Sequence, residues 1–253
     1  GISQSLESML IQIGSTIGEK IEKVRRDSIE ISYMDEIQDI LMNYDAYTDR
    51  MKNATKEIIT ERMSTKYVFD NIVSEITLYT LRGDAVNVYG TDAFRLNLAP
   101  EHLSRFLEES REGNGRIILK AFNENYEQRI ASGVKIQRKS LVLGKAIKKK
   151  IDGNIIGYMQ MTIEEEKIRN IYRDLSENLS ADMFILDRDN IVISSVDESI
   201  RVGDPFTDTQ MLDRLGEDRY LLRSDQGVKM VYNREIGNNW VMVSAIPIAY
   251  LHA

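Results

Sequence analysis

The sequence predicts an α+β fold, in which a long N-terminal helix is followed by two modules in series, each built on an antiparallel sheet of about five strands. Three observations predict it. Apolar residues recur at helical spacing through the first sixty residues, and no Pro occurs before Pro100. A Gly turn feeding an apolar strand occurs twice, at Lys150-Ile-Asp-Gly-Asn-Ile-Ile-Gly-Tyr-Met-Gln-Met-Thr-Ile163 and at Glu235-Ile-Gly-Asn-Asn-Trp-Val-Met-Val-Ser-Ala-Ile-Pro247. Short strands separated by turn residues precede each copy. The first copy runs into a helical stretch from Glu164. The second meets Pro247 and a new helix-like start before the chain stops, so the expectation is a piece of a longer protein.

Residues 3–63 read as helix, with a break expected around residues 44–53. Leu10, Ile17, Val24 and Ile31 are spaced by seven, and Leu6 and Ile13 form a second row. Such a narrow stripe fits a heptad seam as well as a core face. Two readings stand: a helix lying on its own sheet, or a stalk that pairs with a second copy into a homodimer. The expectation combines them, with the first twenty or so residues pairing and the later ones packing on the body.

Strands follow. Residues 73–81 and 85–89 flank the turn Arg82-Gly-Asp84 as a hairpin. Ala99-Pro100-Glu101 opens a short helix carrying Leu103, Phe106 and Leu107 on one face, ending at Glu112-Gly-Asn-Gly115. Residues 116–122 and 135–149 hold strand material around an irregular polar stretch, and residues 155–163 form the last strand of the first module. Residues 164–179 read as a connecting helix with Ile168, Ile171, Tyr172 and Leu175 on one face. Strands then recur at 183–186, 191–195, 219–223, 228–234 and 240–246, with a short helix at 208–215 ended by Gly216. Five antiparallel strands with a helical insert between the second and third is the order of a PAS-like sheet. The predicted divisions are a helical stalk over residues 1–63, a first module over 64–163, a connecting helix over 164–180 and a second module over 181–253.

Composition narrows the function. The chain has 253 residues, 42% apolar and 29% charged, which is enough for two cores. A net charge of −7 and a pI near 5.1 argue against nucleic acid as a partner. The absence of Cys removes disulfides, thiolate metal sites and Cys nucleophiles. No apolar run reaches the ~20 residues that span a bilayer, and no signal peptide is visible. The expectation is a domain soluble as it stands, with any membrane anchor outside it.

Catalysis has little support, so no catalytic residues, metal ligands or cofactor are expected. Only His102 and His252 are present, and neither belongs to a triad or metal-ligand pattern. No Gly-rich phosphate loop occurs. Asp187-Arg-Asp-Asn190 lacks the twelve-residue calcium-loop layout and reads as a polar hairpin turn. Trp240, the only Trp, reads as an anchor for the second module.

In its order of motifs the chain resembles the double Cache sensor domains of bacterial membrane receptors. The residues are the long amphipathic helix, Leu81-Arg-Gly-Asp84, Ile151-Asp-Gly-Asn-Ile-Ile-Gly157 with its strand, Phe184-Ile-Leu-Asp187, Asn190-Ile-Val-Ile-Ser-Ser195 and Trp240-Val-Met-Val-Ser-Ala-Ile-Pro247. The resemblance is greatest to the extracellular part of sensor histidine kinases, with chemoreceptors and diguanylate cyclases close behind. It implies an extracytoplasmic domain at the cell membrane, flanking transmembrane helices outside this chain, and a small-molecule ligand in the membrane-distal first module. An interaction domain with no small ligand is the alternative; an enzyme, such as a hydrolase, ranks last.

In residues 157–163, Met159, Met161 and Ile163 alternate with Tyr158, Gln160 and Thr162. If the first set packs on the long helix, the second faces the pocket, either to bind a ligand or to pair internally. Amino-acid-binding members of the family carry an Asp where Thr162 stands here, and an Arg-x-Trp-Tyr run whose nearest counterpart is Tyr126-Glu-Gln-Arg129. The sequence therefore lacks that acidic anchor and the Trp of that run, and binding of an amino acid by the family's mechanism is not expected. The candidate ligand residues are Tyr79, Tyr89, Tyr126, Arg129, Lys145, Tyr158, Gln160 and Thr162.

Overall fold

The computed structural model describes residues 2–69, 72–91, 95–128 and 138–251. It forms two compact units, Lys23–Glu164 and Glu165–Ala253 with Gly1–Glu22. Each holds a five-stranded antiparallel sheet, so the α+β class with a long N-terminal helix and two sheets is what the chain adopts.

The helical region contains α1 (Ile2–Ser32), α2 (Asp35–Asn43) and α3 (Asp49–Lys66). The second break falls near the expected place. The first, at Tyr33–Met34, has no Gly or Pro to announce it. Tertiary hydrogen bonds make it: Met34 is extended, with ψ 135, and the Gln38 side chain donates to Ser32 O and to Lys148 O, each at 2.9 Å. Asp35 and Glu36 then fall in the first turn of α2, where the helix dipole favours acid.

The heptad-spaced row is committed within the chain. Leu10, Ile17, Val24 and Ile31 are all buried in the single copy, so this row cannot serve as the seam of a homodimer. Seven-residue spacing does not distinguish a partner helix from the chain's own body.

In the first unit, β1 (Val73–Thr80), β2 (Ala85–Tyr89), α4 (Pro100–Gly113), β3 (Ile118–Phe122), β4 (Ser140–Lys148) and β5 (Ile155–Glu164) follow in sequence. The sheet order is β2-β1-β5-β4-β3, which puts the last strand at the centre. Two glycines fix its faces. A Cβ on Gly144 would lie 2.5 Å from Phe106 of α4, and Gly144 pairs with Gln160. A Cβ on Gly157 would lie 2.9 Å from Leu41 of α2. Hence α4 covers the face of Tyr158, Gln160 and Thr162, and the N-terminal helices take the face of Met159, Met161 and Ile163, as the alternation predicted.

The second unit contains α5 (Glu165–Asn178), β6 (Asp182–Leu186), β7 (Val192–Ser195), α6 (Thr209–Leu212), β8 (Arg219–Ser224), β9 (Gly227–Glu235) and β10 (Val241–Pro247). Its order, β7-β6-β10-β9-β8, repeats the first: the last strand is again central. Asp208 caps α6 at the backbone of Met211, and α6 ends at Leu212 instead of reaching Gly216. Asp187 Oδ1 accepts from the backbone of Asp189 and Ile191, closing a polar hairpin turn. Trp240 is buried.

Within this unit α1 lies against the turn after β9. A Cβ on Gly18 would stand 2.7 Å from the backbone oxygen of Ile236, and one on Gly14 equally close to that residue's Cγ2. Ala in place of Gly gains about 1 kcal/mol of helix propensity. Against a carbonyl that cannot rotate away, overpacking costs about 1–3 kcal/mol. Gly18→Ala is therefore expected to lower the urea midpoint, and Gly14→Ala, which meets only a side-chain methyl, to be the more stable of the two. Equilibrium unfolding of both variants checks this; the reverse order would refute the close approach.

Candidate functional site

The α4-facing side of β1 and β5 carries a ladder of polar side chains. Register places Glu75 opposite Thr162, Thr77 opposite Gln160 and Tyr79 opposite Tyr158. Gln160 is 0% exposed and Thr162 and Glu75 are each 1% exposed, so each must find its partners inside the protein. Tyr79 OH donates to Gln160 Oε1 at 3.1 Å, and Gln160 Nε2 donates to Thr162 Oγ1 at 3.3 Å. Thr162 Oγ1 donates to Glu75 Oε2 at 3.2 Å, and Thr77 Oγ1 donates to Glu75 Oε1 at 2.9 Å. The backbone N–H of Leu96 donates to Glu75 Oε2 at 2.8 Å.

Glu75 is the centre of this arrangement. Burial pushes its carboxyl above the usual value, against the lowering effect of the Leu96 N–H, the two threonine hydroxyls and the Arg95 charge. Burial likewise raises Glu127, which feels Arg138 as an opposing charge and Glu75 as a like one. Glu75 thus feels the charge of Arg95, and Glu127 feels the opposite charge of Arg138 and the like charge of Glu75. Such a set suits a ligand bearing both an ammonium and a carboxylate.

Apolar packing closes the ladder face. Leu96, Leu98, Phe106, Phe122 and Val142 form one cluster, and Tyr79, Ala146 and Tyr158 form another with Leu103 and Leu107. Tyr126 joins the first cluster, its ring 5.2 Å from Phe122 and 4.8 Å from His102.

Of the residues proposed from sequence, Tyr79, Tyr158, Gln160 and Thr162 come together on the ladder, with Tyr126 over the adjoining cluster. Tyr89 does not join them: its ring packs at a tilt against that of Tyr67, 5.5 Å away at the end of α3 on the opposite face. Lys145 is also on that face, because it pairs with Met159 and not with Gln160. Arg129 lies outside the described residues. Sequence reasoning missed Glu75, Thr77, Arg95, Glu127 and Arg138. The signal for the first two was present, since Glu75, Thr77 and Tyr79 alternate with Ile76 and Leu78. Among the described residues, no group of three or more His, Cys, Asp or Glu is arranged to hold a metal ion.

No protein-family model matches the chain, and the search of curated proteins gives no match. Solved structures do. The ligand-binding domain of the Pseudomonas fluorescens chemoreceptor CtaA, in complex with L-leucine, is 12% identical with TM-score 0.65, covering 100% of this chain and 97% of that one. The ligand-binding domain of the Pseudomonas aeruginosa amino-acid chemoreceptor PctC, in complex with GABA, is 12% identical with TM-score 0.60, covering 97% of this chain and 100% of that one. The corresponding domain of the Campylobacter jejuni chemoreceptor Tlp3, with L-norvaline, is 14% identical with TM-score 0.59, covering 99% and 93%. The fold is therefore the double Cache fold over essentially the whole chain.

Because the Glu75 pKa is raised, the folded chain holds its proton over a window that starts at the ordinary carboxylate value of 4.5 and ends at the raised value. The stability this group contributes is full below that window and falls as pH rises through it. Relative to Glu75→Gln, the parent should lose stability above about pH 4.5, with a slope of at most about 1.4 kcal/mol per pH unit. Urea unfolding of both proteins from pH 4 to 8 measures this; a parent that gains stability relative to Glu75→Gln as pH rises would refute the assignment.

Proposed function

We propose that this chain is the extracytoplasmic ligand-sensing domain of a transmembrane receptor, attached through flanking membrane helices, with a small zwitterionic ligand in the first unit. The buried Glu75 carries the reading. A carboxylate deprived of water and raised in pKa gains from an ammonium partner. It stands beside Thr162, so an acid reaches the place of the missing strand-end Asp from the neighbouring strand. The ligands of the similar structures, L-leucine, L-norvaline and GABA, each carry an ammonium and a carboxylate, which match Glu75 and Glu127 on one side and Arg95 and Arg138 on the other.

Tyr79, Tyr126, Tyr158, Gln160 and Thr162 orient Glu75 or line its surroundings in this proposal. A ligand that prefers one of two packed states of the unit shifts their populations by its difference in affinity, which is sufficient for a signal. For the output stage, the motif order favours a sensor histidine kinase and the similar structures favour a chemoreceptor. A second reading of the site rests on a different observation: Glu75 already accepts three hydrogen bonds and Phe106 packs over Gly144. By that reading the unit is solid and its surface binds a partner protein.

Thermal denaturation with the twenty L-amino acids and GABA separates the two. A ligand at a hundred times its Kd stabilises by about 2.7 kcal/mol, which for a unit of this size raises Tm by roughly 5–10 °C. Glu75→Gln is expected to weaken the ligand so identified by about ten- to a hundredfold in calorimetry. If no compound moves Tm, the solid-unit reading stands and the sensing proposal falls.

A further inference from the structure

At the β3 edge of the first unit's sheet, between α1 and the end of α4, lies a cleft of about 680 Å³, within the range of small-molecule sites. Arg25, Ile29 and Tyr33 of α1 line it on one side, Arg116, Ile117 and Lys145 on the other, and Glu109 and Glu112 at the end of α4 complete its rim. Lys145 is the unusual member. It is 7% exposed, sits between Gly144 and Ala146 on β4, and pairs across the sheet with Met159. Among the described residues no carboxylate or other acceptor lies within bonding distance of its ammonium. The nearby acid Glu109 is engaged with Lys120 at 3.0 Å, and Glu112 is exposed at the rim.

Partly desolvating an ammonium without a counter-charge is unfavourable and lowers the Lys145 pKa, while the side chain opens on the cleft. A Met at this position would fill the same space without that cost. Around the mouth, Ile29 is 48% and Tyr33 47% exposed, a pair of large apolar side chains left in water beside a cationic floor. Arg25 and Arg116 add positive charge at the edge.

We propose that this cleft binds an organic anion, its carboxylate seated on the Lys145 ammonium and its apolar body against Ile29, Tyr33 and Ile117. The site is separate from the ladder: Gly144 and Lys145 are consecutive residues, and their side chains leave β4 on opposite faces. It needs no zwitterion and no ammonium-binding acid, so it stands whether or not Glu75 holds a ligand.

The test is an NMR-monitored titration of the whole chain with hexanoate, with hexylamine and hexan-1-ol as controls of equal length. Hexanoate is expected to bind at least about tenfold more tightly than hexan-1-ol, and hexylamine not to bind, because a charge-assisted hydrogen bond supplies that margin. Lys145→Met keeps the volume and removes the charge, and should weaken hexanoate by roughly ten- to a hundredfold. Tyr33→Ala, at an exposed position, should weaken it several-fold while leaving Tm within about two degrees of the parent. Glu75→Gln should leave hexanoate binding unchanged, which distinguishes this cleft from the ladder. Equal binding of hexanoate and hexylamine, or full hexanoate affinity in Lys145→Met, would overturn the proposal. So would a concentration-dependent dimer in sedimentation that Tyr33→Ala dissociates and that hexanoate leaves untouched, because the cleft would then belong to a second copy.

Discussion

Each sheet is closed by its own last strand, and that strand is covered on both faces. β5 pairs with β1 on one side and β4 on the other, and β10 pairs with β6 and β9 in the same way. A central strand has no edge on which to spend unpaired groups, so its backbone is satisfied by its neighbours and its side chains by whatever lies above and below. Residues 156–163 are all buried. Any polar side chain among them has to meet another polar group or a bound one. The whole ladder follows from that condition: Gln160 and Thr162 are on the strand, and Thr77, Tyr79 and Glu75 on the next strand answer them.

The two units meet the condition differently. β10 reads Val241-Met-Val-Ser-Ala-Ile246, almost wholly apolar, and the buried carboxylate of the second unit stands off the sheet at the start of α5. Glu165 is bound there by Arg169 at 3.2 Å and by Ser194 at 2.8 Å, and Ser194 is 2.6 Å from the hydroxyl of Tyr172. This acid has its own arginine one helical turn away, so breaking the pair leaves an uncompensated charge and costs about 3–5 kcal/mol. It ties α5 to β7 as a structural joint. Glu75 is held by hydroxyls and one amide, with the Arg95 charge acting only as the weakest influence on its proton affinity. Of these two acids, Glu75 is the one whose charge a cation on the proposed ligand would complete.

The strand faces were legible because alternation is a local property: Met159, Met161 and Ile163 separate from Tyr158, Gln160 and Thr162 on spacing alone. The repeated closing strand was legible for the same reason, and with it the two-sheet plan. Lys145 and Tyr89 were misplaced because the face of a neighbouring strand depends on register, and a shift of one residue inverts it. Lys145 faces Met159, and residue 144, one position earlier, faces Gln160. Glu75 was passed over because its partner Thr162 is 87 residues away, so Thr162 alone gave the site no acid. The break at Tyr33–Met34 was hidden because Gln38 makes it through contacts that no local pattern records.

What a ligand on the ladder has to overcome is set by Phe106. Gly144 has no side chain, and Phe106 occupies the space where one would be, with Ser110 beside it. That contact seats α4 on the ladder face above Gln160, the cross-strand partner of Gly144. Lifting α4 enough to admit a ligand exposes the Phe106 ring, which costs about 2–3 kcal/mol. That is roughly a thirty- to hundred-fold reduction in apparent affinity relative to a preopened site. The same cost separates the two states. On the proposed reading, a ligand that recovered it through Glu75 would populate a lifted α4, and a compound with no cation for Glu75 would have nothing with which to offset the loss. Under the sensing proposal, selectivity for a cationic group and a change in the packing of α4 would both follow from one contact, the aromatic ring seated on a glycine of β4.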